Sequence, residues 1–292
     1  MNHRRRLWLV VLLAAGCRHP QALPSVSYAD EIMGAVLSVG AWGIDTSRLS
    51  RAVAAVFDSA RAVDAGRHAR SGTVGGTLGA IEGEVHAAAG PGEIESDALA
   101  RGYALDRGAL ALGPAADSAV LTFATEFLFL AGRSRVTHGE QRYRLVGIHD
   151  PDDPFRALAS LAVPDSPAVL AVATLAAEAG TAARARSVTA VAGDAAHAAG
   201  WASALLRMAC DQAVATGSAR RVGVVCVDGR GGTAGWRVLW TPDLAARVTM
   251  GSGGVVSGSA GSARGPAPAP APGRGAIPRD SKRRSTIPGS SP

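Results

Sequence analysis

Between residues 119 and 240 the chain reads as a succession of short apolar runs separated by turn residues, and this rhythm limits the possible folds more than any other feature. Runs of about 4–8 residues rich in Val, Ile, Leu and Phe and bounded by Gly, Pro or Asp have the length of strands. Strands are expected on this basis at 119–123, 127–131, 143–148, 157–163, 169–173 and 187–192, with an earlier one at 35–42. Arg221-Val-Gly-Val-Val-Cys-Val227, the turn residues Asp228-Gly-Arg-Gly-Gly232 and Trp236-Arg-Val-Leu-Trp240 together predict a hairpin. Leu49, Val53, Val56, Phe57 and Ala60 stand at helical spacing behind Asp45 or Thr46 as cap, which predicts a helix to about Asp64. Two more helices are predicted, one from Asp97 to Leu112 stopped by Gly113-Pro114, the other from about Ala196 to Ala215. Meandering strands with a few long helices indicate a single α+β domain of antiparallel or mixed sheets, not a doubly wound sheet.

Both ends of the chain stand outside that pattern. Met1-Asn-His-Arg-Arg-Arg6 is a positive leader before the apolar run 7–15, and Gly16-Cys17 follows. This reads as a secretory signal, too short to span a bilayer as a helix. Small residues directly before Cys17 suit a lipoprotein signal peptidase, so residues 1–17 are read as a lipoprotein-type signal peptide with Cys17 as the lipidated residue; a cleaved signal with an incidental cysteine is the alternative. From about Met250 the chain becomes Gly, Ser, Pro and Ala, and residues 250–292 are expected to be a disordered tail, leaving a folded domain at 30–245. The glycine-rich stretch 66–92 has few large apolar residues and is expected to be a loop or a poorly ordered insertion.

Charge and composition exclude several chemistries. The net charge is +6, but four arginines lie in residues 1–20 and six basic groups against one acid lie after residue 250, so the remaining body is acidic. No nucleic-acid partner is expected. The single lysine, Lys282, sits in the tail, which removes Schiff-base chemistry and a P-loop lysine from the folded body. Cys210 and Cys226 either pair or remain as two buried thiols. His68, His86, His138, His149 and His197 show no metal-ligand spacing, and Ser134 and Ser203 have no recognisable triad partners. Asp150-Pro151-Asp152-Asp153-Pro154 reads as a turn. Trp201, Trp236 and Trp240 read as core residues.

One segment carries a family signature. Ile94-Glu-Ser-Asp-Ala-Leu-Ala-Arg-Gly-Tyr-Ala-Leu-Asp-Arg107 resembles the motif I-D-L-G-G-I-A-K-G-Y-A-V-D-R of the FAD:protein FMN transferases, the ApbE-type flavin-trafficking lipoproteins. Met33-Gly34, Tyr143-Arg-Leu-Val-Gly-Ile-His-Asp-Pro151, Ser187-Val-Thr-Ala-Val191 and Ala198-Ala-Gly-Trp-Ala-Ser-Ala-Leu205 resemble, in the family's order, its M-G-T, W-x-V-G-I-x-D-P, S-V-T-V and A-D-A-L-A-T-A-L elements. The resemblance implies FAD and Mg²⁺, with transfer of FMN from FAD to a Thr or Ser of a target protein and release of AMP. It also implies Met33, Glu95 and Arg101 as flavin-nucleotide contacts, and the Ala98 carbonyl and Ser203 hydroxyl as metal ligands. A flavinylated target protein or redox complex is the implied partner, met at a membrane surface through the lipid anchor.

Several family elements are replaced. Ala199 stands where the family has its metal-binding aspartate, and a methyl group cannot ligate magnesium. Asp194, the nearest acid, lies too far from Ser203 to take that place directly. The H-I-I-D-P-x-T-G-x-P segment is absent around 176–186, the S-G pair is Thr174-Leu175, and the G-G of N-x-G-G-D/E is Ala124-Thr125, leaving Glu126. The G-A-F-D element of the first half is missing too. These replacements predict impaired transfer, or a catalytically silent homologue that serves as an extracytoplasmic binding or assembly module for a redox complex.

Overall fold

In chain order the elements are β1 (Ser25–Ile32), β2 (Ala35–Trp42), α1 (Thr46–Gly66), α2 (Thr73–Ala89), α3 (Ser96–Leu112), β3 (Ser118–Phe123), β4 (Glu126–Leu130), β5 (Tyr143–Asp150), β6 (Asp153–Pro164), β7 (Val169–Ala176), β8 (Ser187–Ala192), α4 (Ala195–Leu206), α5 (Cys210–Arg220), β9 (Gly223–Gly229), β10 (Trp236–Trp240), β11 (Val248–Met250) and β12 (Ser259–Ala260). The computed structural model describes residues 23–67, 72–90, 94–130, 143–164, 169–177, 185–229, 235–251 and 259–260. All of them belong to one unit, Met1–Ser262. The signal segment with Cys17, residues 261–292 of the tail, and His68, Ser134 and His138 lie outside the described residues.

The strands follow from alternation. Along β3, Ala119, Leu121 and Phe123 are buried toward the helices, while Val120 and Thr122 face the opposite way. β4 repeats the pattern, with Leu128 in the helix-side core and Phe129 in a second core. Pairing gives a nine-stranded sheet, β1-β2-β3-β4-β7-β8-β9-β10-β12, and a three-stranded sheet, β11-β6-β5. Every neighbouring pair is antiparallel except β10 with β12.

The molecule is therefore layered as helices, large sheet, small sheet. The helix-side core joins Leu37, Leu121 and Leu128 of the sheet to Val56, Leu105 and Leu205 of the helices. The second core joins Phe129, Val172 and Val225 of the large sheet to Val146, Ile148 and Leu161 of the small one. Burying each such leucine contributes roughly 1.5–3 kcal/mol.

Two expectations are corrected. The stretch 66–92 is not a loop: its described residues form α2. Leu78 and Val85, two helical turns apart, are buried, and Gly200 of α4 leaves room for Val85 and Ile81 where the two helices pack. The late helix is not continuous. α4 ends at Leu206, and Ala209, in extended backbone (φ −63°, ψ 144°), is the N-cap of α5, which Cys210 opens while forming a disulfide with Cys226 on β9. In the tail, Ser259–Ala260 forms the short strand β12.

Candidate functional site

The positions singled out by the motif meet at one end of the large sheet. Met33 forms the β1–β2 turn with a left-handed backbone (φ 51°), and its side chain is in the helix-side core. Ala124, also left-handed (φ 51°), forms the β3–β4 turn, and its N–H donates to the Val36 carbonyl at 3.3 Å. The Thr174 N–H donates to the Thr125 carbonyl at 3.1 Å. These bonds draw the two turns and β7 together, and Glu126 projects from them toward α3.

Glu126 is completely buried and is held by Arg101 of α3. Arg101 Nε donates to Glu126 Oε2 and Nη2 to Oε1, both at 3.1 Å, while Nη2 also reaches Glu95 Oε1 at 3.3 Å. Desolvation works against the charge on Arg101, but hydrogen bonding and charge from Glu126, then Glu95, hold it above its ordinary value. Burial pushes the Glu126 carboxyl up, against the pull of Arg101. The fork of the guanidinium is thus spent within the protein.

Ser203 and Glu95 also meet, but through the backbone: the Glu95 N–H donates to Ser203 Oγ at 2.7 Å. Ala199, one turn earlier on α4, is fully buried. Ala98 lies in the first turn of α3, where helical geometry directs its carbonyl to the helix's own N–H groups. Magnesium requires hard oxygen ligands, usually with one or two carboxylates. Ser203 Oγ is already an acceptor, Ala199 offers no ligand, and no cluster of three His, Cys, Asp or Glu suited to a metal occurs among the described residues. The residues present do not fit Mg²⁺.

Other identities in the motif explain packing. A Cβ on Gly102 would lie 2.4 Å from the Ala195 carbonyl oxygen, so only glycine lets α3 cross α4 there. Asp106 accepts from Ala195 N at 2.8 Å and Ala196 N at 2.9 Å, capping α4 from the neighbouring helix. Burial raises its carboxyl to about 6 although both N–H groups oppose the shift.

On the other face of β4 lies a cavity of about 590 Å³ between the two sheets. The β3–β4 turn and Thr174 border it, as do Phe127 and His149, so the replaced G-G and S-G positions and the retained V-G-I-x-D-P segment converge on this space. The Phe127 and Phe129 rings are nearly parallel (5°) with centroids 6.3 Å apart, and the Thr174 and Thr189 hydroxyls are 2.8 Å apart.

Solved structures share this architecture. Flavin transferase ApbE from Vibrio cholerae superposes with a TM-score of 0.59 over 77% of this chain and 99% of its own, at 11% identity. The fold is that of the ApbE flavin transferases. The apo flavinyl transferase ApbE of Pseudomonas stutzeri matches with a TM-score of 0.56 over 76% of this chain and 97% of its own, at 12% identity. The ApbE protein of Thermotoga maritima matches with a TM-score of 0.50 over 70% and 94%, also at 12% identity. No protein-family model and no curated protein matches the sequence. At these identities the ApbE likeness concerns the fold.

The remaining residues fall mostly where composition places them. Trp201 and Trp240 are buried core side chains, and the acidic 150–154 stretch makes the β5–β6 turn, with Asp152 N donating to Asp150 Oδ1 at 2.8 Å. His197 was not recognised in sequence as part of a cluster. Its Nδ1 lies 2.7 Å from Asp194 Oδ1 and its Nε2 lies 3.4 Å from Glu84 Oε2, and the hydrogen bond to Asp194 is foremost in raising it to about 9. An Asp three residues before a His at a helix start was the available signal. Among the described residues no helix is long and apolar enough to cross a membrane.

Proposed function

We propose that this chain is a flavin-transferase-like protein in which Mg²⁺-dependent transfer of FMN from FAD to a Thr or Ser of a target is impaired. It works instead as an exported, catalytically silent flavin-binding and assembly module for a flavoprotein or redox complex. The observation that carries this reading is the two-pronged pairing of Arg101 with buried Glu126. Arg101 stands where the family places its phosphate-facing lysine, and here its charge is neutralised from within. The Ser203 hydroxyl held by Glu95 and the methyl of Ala199 support the same conclusion. Phosphoryl transfer relies on positioned positive charge and metal, so losing both removes its main source of acceleration.

The Cys210–Cys226 disulfide supports an oxidising compartment, and Cys17 would tether the body to a membrane surface through its lipid. The test is titration of the purified protein with FAD by fluorescence quenching, with and without Mg²⁺, together with AMP release in the presence of a threonine-bearing acceptor protein. Flavin quenching that is independent of Mg²⁺, without AMP release, is expected. Mg²⁺-dependent AMP release matched by flavin on the acceptor would refute the silent reading. Labelled palmitate incorporated by cells into the parent chain and lost in Cys17→Ser is expected for the anchor.

A further inference from the structure

We infer that the cavity between the two sheets binds an uncharged planar ring, a flavin without its phosphate such as riboflavin, in preference to a flavin nucleotide. The inference rests on the flavin-binding reading above and specifies its ligand.

Shape is the first ground. Face-to-face sheets leave a gap about 10 Å deep between backbones, and where side chains are short the remaining space is a slot. Here Thr122 and Ala124 on one side are short, the His149 ring lies over Gly147 on the other, and the parallel rings of Phe127 and Phe129 supply apolar lining. A volume of about 590 Å³ falls within the range of small-molecule sites. Phe127 is only half-buried and lines the cavity, which places an aromatic ring beside the bound ligand.

Polarity is the second. The hydroxyls of Thr122, Thr125, Thr174 and Ser187 and the ring nitrogens of His149 place hydrogen-bonding groups around a slot otherwise lined mainly by apolar side chains. That is the complement of a ring whose edge alternates carbonyl oxygens and N–H groups.

Charge decides between ring and nucleotide. No Lys or Arg lines the cavity among the described residues, whereas the buried carboxylate of Asp150 does. The nearby guanidinium groups face carboxylates: Arg156 Nη1 lies 3.6 Å from Asp150 Oδ2, and Arg186 Nη2 lies 2.6 Å from Asp152 Oδ1. On the opposite face of β4, Arg101 is committed to Glu126. A phosphate drawn into this slot would lose water and find no Lys or Arg in the lining, only guanidinium groups beyond it that already face carboxylates.

The test is titration of the full chain with riboflavin, FMN and FAD, following flavin fluorescence, on the parent and two variants. Riboflavin is expected to bind at least ~10-fold more tightly than FMN or FAD, the minimum for an uncompensated buried charge. Thr122→Trp, which fills the slot, should abolish riboflavin binding, and Thr174→Val, which keeps the shape and deletes one hydroxyl, should weaken it roughly 2- to 10-fold. Thermal unfolding checks that each variant is folded; Thr174→Val provides the test should Thr122→Trp not fold. FMN or FAD binding as tightly as riboflavin overturns the inference while leaving the flavin-binding reading intact. Riboflavin affinity unchanged in a folded Thr174→Val overturns it too. Absence of binding by all three flavins sinks the reading itself, and the inference with it.

Discussion

Replacing Ala199 by Asp restores the family's metal-binding residue in sequence, yet the structure predicts damage and no recovery of magnesium binding. Ala199 lies on the buried face of α4, at 0% accessibility. An ionised carboxylate there would be buried without a partner, so the group stays protonated in the folded state. Holding a carboxyl neutral at pH 7 when its ordinary value is about 3.9 costs about 4 kcal/mol, at about 1.4 kcal/mol for each pH unit. For a domain of this size that lowers Tm by about 8–16 °C. The sign follows from the raised folded-state value: the penalty is largest at neutral pH and fades as pH falls toward 4, where the unfolded chain is protonated as well. Thermal unfolding of Ala199→Asp at pH 7 and pH 4, beside Ala199→Asn to isolate the steric part, measures both. An Ala199→Asp protein as stable as the parent at pH 7, or one rescued by millimolar Mg²⁺ with new Mg²⁺-dependent FAD binding, would refute the argument.

Arg101→Met leaves the buried Glu126 carboxylate unpaired and should destabilise the fold by about 3–5 kcal/mol in denaturant titration, whereas Arg101→Met combined with Glu126→Leu should recover most of that loss. The His197–Asp194 pair should stabilise over a bounded window. Asp194 is shifted down, with burial opposing and His197 overcoming it, so its contribution is lost as pH falls through the acidic range; His197 is raised to about 9, so its contribution is lost as pH rises through that value. NMR titration of the His197 ring should show the high midpoint in the parent and a return toward the ordinary histidine range in Asp194→Asn.

Much of the architecture was legible because one physical signal dominated each element. Short apolar runs bounded by turn residues defined β3, β4 and the β9–β10 hairpin, and the stripe Leu49, Val53, Val56, Phe57, Ala60 defined α1. α2 was missed because four glycines obscured the spacing of Leu78 and Val85, and tertiary packing on α4 overrides their poor intrinsic propensity. The broken late helix was illegible because neither Gly nor Pro marks the turn at Ala209. Among the positions named by the motif, Glu95 is hydrogen-bonded to both Arg101 and Ser203. The motif did not reveal that Arg101 would turn to Glu126, since that pairing depends on which face of β4 the glutamate occupies. Nor could the intersheet cavity be read, because its walls come from strands of two different sheets.

The crossing of α3 and α4 carries a consequence for how the molecule breathes. Asp106 of α3 fastens the first turn of α4, and Ser203 in the last turn of α4 fastens the backbone just before α3. With Gly102 permitting close contact at Ala195, the two helices are latched at both ends, like a bolt seated in two brackets. Opening one bracket alone gains little freedom, so the amides of Glu95, Ala195 and Ala196 should exchange with deuterium as a single cooperative group. Motion at this end of the sheet then has to come from the turns at Met33 and Ala124, which the latch does not hold.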